Sequence, residues 1–210
     1  MTAGTHSSMS SKSPFVAAGL AAVLILGACS SPSPLRAPQH PAVVLLEMPD
    51  GGRGSGVVVA PGWILTCLHC GTAELAAGQP VAAVLPAPGG DVDMALMHVP
   101  GLLADWYVPI AGAAARLHDP ISAYGFHLGK QFLRTDGYQG AGDEEMSAPI
   151  IHGCSGGAVV NSDGELLGVI TWVMYSRTSS GWDGAPLPHM SGYTPITDAL
   201  RVWIAETLNP

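Results

Sequence analysis

HGCSGGAVVNSDGELLGVITW, residues 152–172, is the stretch whose reading decides the fold. Gly153, Gly156 and Gly157 surround Ser155, so the serine sits in a tight turn where backbone N–H groups can point inward and a carbonyl can approach closely. A Gly-x-Ser-x-Gly pattern also suits a serine elbow at the head of an α/β sheet, but that elbow runs from a strand into a helix. Here GGAVVN, then SDG, then ELLGVITWV reads as a β-hairpin. A hairpin after the serine points to an all-β domain. The good histidine candidate, His69, also lies before the serine, whereas an elbow-type hydrolase places its histidine after it.

Working outward, the same strand-and-turn rhythm fills most of the chain. AVVLLEM (42–48) meets the turn PDGG; GSGVVVA (54–60) ends at Pro61-Gly62; WILTC (63–67) follows at once. AAVLPA (82–87) and MALMHV (94–99) are further strands, and ISAYGF (121–126) and QFLRTDGYQG (131–140) form a hairpin across HLGK. DEEM (143–146) reads as a solvated loop. Only ITDALRVWIAETL (196–208) has helical spacing, with Thr197 or Asp198 as a cap. Strands with turn signals every eight to twelve residues predict a barrel or sandwich, with the helix covering one end.

Composition excludes several classes. The chain has 210 residues, 48% apolar and 11% charged, which is globular rather than disordered. Net charge is −8 and no Lys/Arg cluster is present, so no nucleic-acid partner is expected. The N-terminus differs from the rest. An apolar run from Phe15 to Ala28 follows Lys12 and is too short for a membrane-spanning helix, which needs about 20 residues. Residues 1–28 therefore read as a signal peptide. LGAC (26–29) resembles the lipobox of bacterial lipoproteins; the resemblance implies cleavage before Cys29 and lipidation of Cys29. Ser30 gives no sign of inner-membrane retention. Residues 29–40 are a Ser/Pro-rich tether, and residues 41–210 are the folded domain. The expected location is the cell envelope, anchored by lipid at the outer membrane or the periplasmic face.

The upstream histidine is in GWILTCLHC (62–70), where His69 stands between Cys67 and Cys70. An aspartate between His69 and Ser155 is offered by DVDMALMHV (91–99): Asp93 directly precedes the apolar strand, and Asp91 stays open as the alternative. With these in order the chain resembles the trypsin/chymotrypsin-like serine protease family. GWILTCLHC is similar to its histidine strand, where Ala usually stands at 67 and 68. DMAL is similar to its aspartate segment, GCSGG to its nucleophile turn, GVITW to its substrate-pairing strand, and SGYTPITDALRVWI to the run from specificity pocket into final helix. The resemblance spans residues 42–207.

The resemblance implies a chymotrypsin-like double β-barrel with a C-terminal α-helix, and a serine endopeptidase. Ser155 is then the nucleophile, His69 the general base, and Asp93 the group that orients His69. The N–H groups of Gly153 and Ser155 form the oxyanion hole, and His152, Thr171, Trp172 and Val173 line the substrate cleft. Val173 stands where glycine is common, and Pro149 and Ile150 bring no charge, so small or medium apolar side chains are expected before the cut. A catalytically silent, peptide-binding homologue is the alternative, and acyl transfer on a non-peptide substrate is a third.

Three departures stand out. Cys154 replaces the acidic or amide residue before the serine, and no Ile-Val-Gly-Gly start is present, so activity is expected not to depend on a freshly cut N-terminus. Cys70 lacks its usual disulfide partner, because Gly54 stands there. A Cys70–Cys154 or Cys67–Cys154 bridge and three reduced thiols both stay open. No cofactor and no metal are expected, since C-x-x-C followed only by distant Cys154 is poor zinc spacing. Finally, 24 positions separate His69 from Asp93, which implies short loops.

Overall fold

A computed structural model describes Met1 and residues 42–104, 106–175 and 186–209. Apart from Met1, the signal segment, Cys29 and the tether lie outside the described residues. Among the described residues no helix is long and apolar enough to cross a membrane.

Among the described residues thirteen strands form two antiparallel sheets. The first holds β1 (Val43–Glu47), β2 (Arg53–Ala60), β3 (Trp63–Thr66), β4 (Leu75–Ala76), β5 (Gln79–Pro80), β6 (Ala83–Pro86) and β7 (Ala95–His98), in the order β5-β4-β1-β2-β3-β7-β6. The second holds β8 (Pro120–His127), β9 (Gln131–Tyr138), β10 (Glu145–Met146), β11 (Ala158–Val160), β12 (Leu166–Tyr175) and β13 (Pro186–Pro195), in the order β10-β13-β12-β11-β8-β9. Each sheet curls into a half-barrel, and α1 (Asp198–Leu208), the one α-helix among the described residues, follows the last strand.

Local chemistry explains the turns. Pro61-Gly62 closes β2–β3, with Gly62 at φ +74, a conformation that strains side-chain-bearing residues. In the β11–β12 turn the Asn161 side-chain oxygen accepts from the N–H groups of Asp163 (3.0 Å) and Glu165 (2.9 Å), an Asx turn that fixes the hairpin. The Val-rich β2 runs buried from Gly54 to Val59. One core cluster collects Leu46, Val57, Ile64, Leu65, Leu96 and Met97. The other collects Ile121, Met146, Ile150, Val159, Ile170 and Tyr193. Thr197 caps α1, its hydroxyl accepting from the Leu200 N–H, and Leu200 and Ile204 bury onto the first cluster.

The expected strands and helix are present within a residue or two of their predicted bounds. The short strands β4, β5 and β10 carry too few residues to show a period-2 pattern. DEEM is not simply a solvated loop: Glu145–Met146 pairs with Gly192 and Ser191, and Met146 is buried. Strand β13 went unread because prolines at 186, 188 and 195 mark it as a non-strand. His98 of β7 stacks on Trp63 of β3 with ring centroids 4.6 Å apart.

One buried serine joins the two halves. Ser55 of β2 is 0% exposed. Its N–H donates to the Ser155 carbonyl at 2.8 Å. Its hydroxyl donates to the Gly153 carbonyl at 2.8 Å and accepts from the Phe126 N–H at 2.9 Å. Its own carbonyl accepts from the Thr66 hydroxyl at 2.8 Å. The Ser55→Ala variant leaves a carbonyl and an N–H without partners, at about 1–3 kcal/mol for each orphaned group that water cannot reach. Urea denaturation should show a loss in that range; a change below about 0.5 kcal/mol, the scale of an ordinary surface substitution, would refute the role.

Candidate active site

Sheet register brings the first two site residues together. Thr66 of β3 pairs with Ala95 of β7. The antiparallel pair therefore sets the 3-10 turn Leu68–Cys70, which follows Thr66, beside Asp93, which precedes Ala95. One carboxylate then holds the histidine at two points. Asp93 Oδ1 accepts from the His69 N–H at 3.0 Å, and Oδ2 meets Nδ1 at 2.7 Å. With its proton held on Nδ1 by the carboxylate, the neutral ring presents Nε2 as an acceptor. Asp91 does not make these contacts; it is exposed and, with Asp93, lines a cavity apart from that of Ser155.

Ser155 sits in the glycine turn expected of it. Gly156 N–H donates to Ile170 carbonyl at 2.7 Å and Gly157 N–H to Cys154 carbonyl at 2.8 Å, so the turn is sewn to β12. Gly156 lies at φ +79, and a Cβ there would collide with the Ser55 carbonyl and the Thr66 hydroxyl. Among the described residues, the N–H groups of Gly153 and Ser155 donate to no acceptor, while those of Cys154, Gly156 and Gly157 all do. His69, Cys70, His152, Gly153 and Ser155 line one cavity of ≈ 540 Å³ together with Arg53 and Asp50.

The predicted cleft residues divide between places. His152 lines the Ser155 cavity and is exposed. Thr171 and Trp172 line a separate cavity of ≈ 380 Å³ with Asp91, Val92 and Asp93. The Trp172 indole lies across Gly192, where any side chain would collide with it. Val173 is partly buried and packs on the cluster that holds Ile150.

Cys67, Cys70 and Cys154 are all free and buried, so the bridges left open in the sequence are not formed. The Nε2 of His69 lies 3.4 Å from the Cys67 Sγ. Sequence reasoning missed this contact, and it missed Ser55 and Thr66; the only trace in the chain is a polar residue placed where a strand buries both faces.

Electrostatics follow from these contacts. The Asp93 carboxylate first, then the neighbouring Cys70 thiol, raise His69 from 6.5 to about 10. Burial pushes Asp93 up, but its hydrogen bonds with His69 outweigh this and hold it below its ordinary value. Burial raises Cys67 and Cys154. Cys70 is lowered, by its hydrogen bond with Cys67 and then by His69, against its own desolvation.

Two outcomes are expected. An NMR titration of His69 should give a midpoint well above 6.5, falling towards 6.5 in Asp93→Asn; a midpoint near 6.5 in the unaltered protein would contradict the clamp. Because the folded-state value is raised, the linked stability is fully present below 6.5 and is lost as pH rises through about 10. Separately, a Cβ built on Gly54 lies 2.8 Å from the Cys70 Sγ and 3.6 Å from its Cβ, inside the range of about 3.5–4.5 Å for disulfide partners. Gly54→Cys should form a Cys70-linked bridge on oxidation and add about 3 kcal/mol of stability. Peptide mapping checks it, and a free thiol pair would contradict it.

Comparison with known proteins agrees with this geometry. The Trypsin-like peptidase domain family matches residues 54–169, more than half of the chain and the segment that holds His69, Asp93 and Ser155. The crystal structure of the Rv3671c protease in its inactive form is similar with a TM-score of 0.59 and 20% identity, covering 84% of this chain and 93% of that chain. That likeness is one of fold: a chymotrypsin-like double β-barrel with a C-terminal helix. No curated protein matches. Matched over the whole span from the Ser55 strand to the strand behind the serine turn, this chain belongs to the trypsin-like peptidase family.

Proposed function

We propose that the protein is a serine endopeptidase that cuts peptide bonds with Ser155, His69 and Asp93. The observation that carries this reading is the pairing of an Asp93-clamped His69 with Ser155 on one cavity, beside two N–H groups that donate to nothing. A substrate carbonyl placed there puts its carbon at the Ser155 hydroxyl and its oxygen at the N–H groups of Gly153 and Ser155. His69 Nε2 exchanges the Cys67 thiol for the Ser155 hydroxyl and takes its proton as Oγ bonds to the carbonyl carbon. The resulting imidazolium is held by Asp93 and returns the proton to the leaving amine. Water then repeats the sequence and frees the acid. Since the base must be neutral, the raised His69 value puts the reaction's rise with pH well above 6.5.

The partly buried Val173, packed against the Ile150 cluster, supports a shallow apolar pocket and small or medium apolar residues before the cut, with no preference for Lys or Arg. The lipobox-like LGAC motif and the tether support anchoring through lipidated Cys29 to a bacterial envelope membrane. The silent-homologue reading draws on one observation, the Nε2 contact with Cys67, which competes with Ser155 for that nitrogen.

A fluorophosphonate probe separates the two. The protein should be labelled, Ser155→Ala should not, and Cys67→Ala should be labelled faster because the competing thiol is gone. Absence of label in both the unaltered protein and Cys67→Ala would favour the silent homologue.

A further inference from the structure

Cys67, His69 and Cys70 belong to one turn, and their three ligand atoms lie within 4.8 Å of one another. We propose that this turn binds a thiophilic divalent cation, zinc first among them, through Cys67 Sγ, Cys70 Sγ and His69 Nε2. The spacing fits. A tetrahedral zinc with Zn–S of about 2.3 Å and Zn–N of about 2.0–2.1 Å sets its sulfur and nitrogen ligands about 3.6 Å apart, and Cys67 Sγ and His69 Nε2 stand 3.4 Å apart. Two sulfurs and an imidazole are soft donors that select zinc over magnesium or calcium. The sequence suggested Cys67, Cys70, Cys154 and a histidine, a poor spacing for zinc; the structure groups Cys67 and Cys70 with His69, without Cys154.

The surroundings of the histidine are also those a metal ligand takes. A metal-bound imidazole ordinarily passes its other N–H to a carboxylate, which fixes its tautomer and raises its basicity. Asp93 holds Nδ1 in that way at 2.7 Å. The thiols are 0% and 2% exposed, while His69 is exposed and lines the Ser155 cavity, which gives an ion a route in. A fourth position is left for water. Each thiol releases its proton to solvent as its sulfur bonds the metal, the His69 imidazolium releases its Nε2 proton to solvent and lends the freed lone pair while keeping its Nδ1 proton, and nothing is oxidised or reduced. The bound ion occupies the lone pair that the proposed mechanism needs for the Ser155 proton. Zinc is therefore a reversible inhibitor that acts by capturing the base. This inhibitory consequence rests on the serine endopeptidase reading; the binding site does not.

The test is a cobalt(II) titration of metal-free, full-length protein under reducing conditions. One equivalent should saturate a thiolate-to-cobalt charge-transfer band in the near ultraviolet, and zinc should abolish it. Cys67→Ser and Cys70→Ser should each weaken binding by more than about tenfold, and Asp93→Asn by about 10–100-fold. Ser155→Ala should bind unchanged. The same zinc should block fluorophosphonate labelling, and chelation should restore it. A protein that shows the band but is never labelled keeps the metal site and loses the protease reading. Absence of the band in the unaltered protein at equimolar cobalt overturns the site without any variant, as does a band that survives in the Cys67→Ser/Cys70→Ser double variant.

Discussion

Ser55 contributes four polar contacts from a position with no solvent, and three of them cross to the other half of the molecule. Two end on the carbonyls of Gly153 and Ser155, the residues whose N–H groups are left pointing away. Those carbonyls share their peptide planes with the N–H groups of Cys154 and Gly156, which donate to the Ile151 and Ile170 carbonyls, so the two planes on either side of Ser155 are held at both ends. The joint between the barrels thus also shapes the serine turn. Gly156 has to be glycine for the same reason, because the Ser55 carbonyl and Thr66 hydroxyl occupy the space of a side chain. Losing the joint would loosen the barrels and the turn together.

On the other side of the cavity the controlling feature is a competition at one nitrogen. Asp93 takes Nδ1 and the His69 backbone N–H, so the ring is held in place. Nε2 then has more than one claimant: the Cys67 thiol at 3.4 Å, the Ser155 hydroxyl across the cavity, and, on the proposal above, a metal ion shared with Cys70. A thiol is weak both as a hydrogen-bond donor and as an acceptor, so the observed contact costs little to exchange. On the proposed mechanism, cysteine in place of the small residue usual at position 67 therefore leaves His69 free to act as base, and on the metal proposal it adds a donor for soft metals.

Much of this was legible in the chain. The β-hairpin after Ser155 excluded an α/β elbow, and the histidine strand, the aspartate ahead of an apolar strand and the terminal helix were each readable from local pattern. What escaped had a physical reason. Strand β13 is interrupted by prolines, which pattern reading takes as breaks. Strands of two residues have no period. Ser55 looks like any small polar residue in GSG, and only the approach of β8 and the serine turn, residues distant in sequence, reveals that its hydroxyl is fully used. Cys67 and His69 are neighbours in the text, yet that the Nε2 rather than the Nδ1 faces the thiol follows from Asp93, 24 positions away.

The central claim is that Ser155 and the N–H groups of Gly153 and Ser155 face one reacting carbonyl, with His69 turning to serve them. A crystal structure of the protein reacted with a small apolar peptidyl phosphonate tests it most directly. The account predicts phosphorus bonded to Ser155 Oγ, a phosphonyl oxygen within hydrogen-bonding distance of both N–H groups, and His69 Nε2 moved off the Cys67 sulfur while Asp93 keeps Nδ1. Phosphorus bonded elsewhere, or an adduct whose oxygen meets neither N–H, would contradict it.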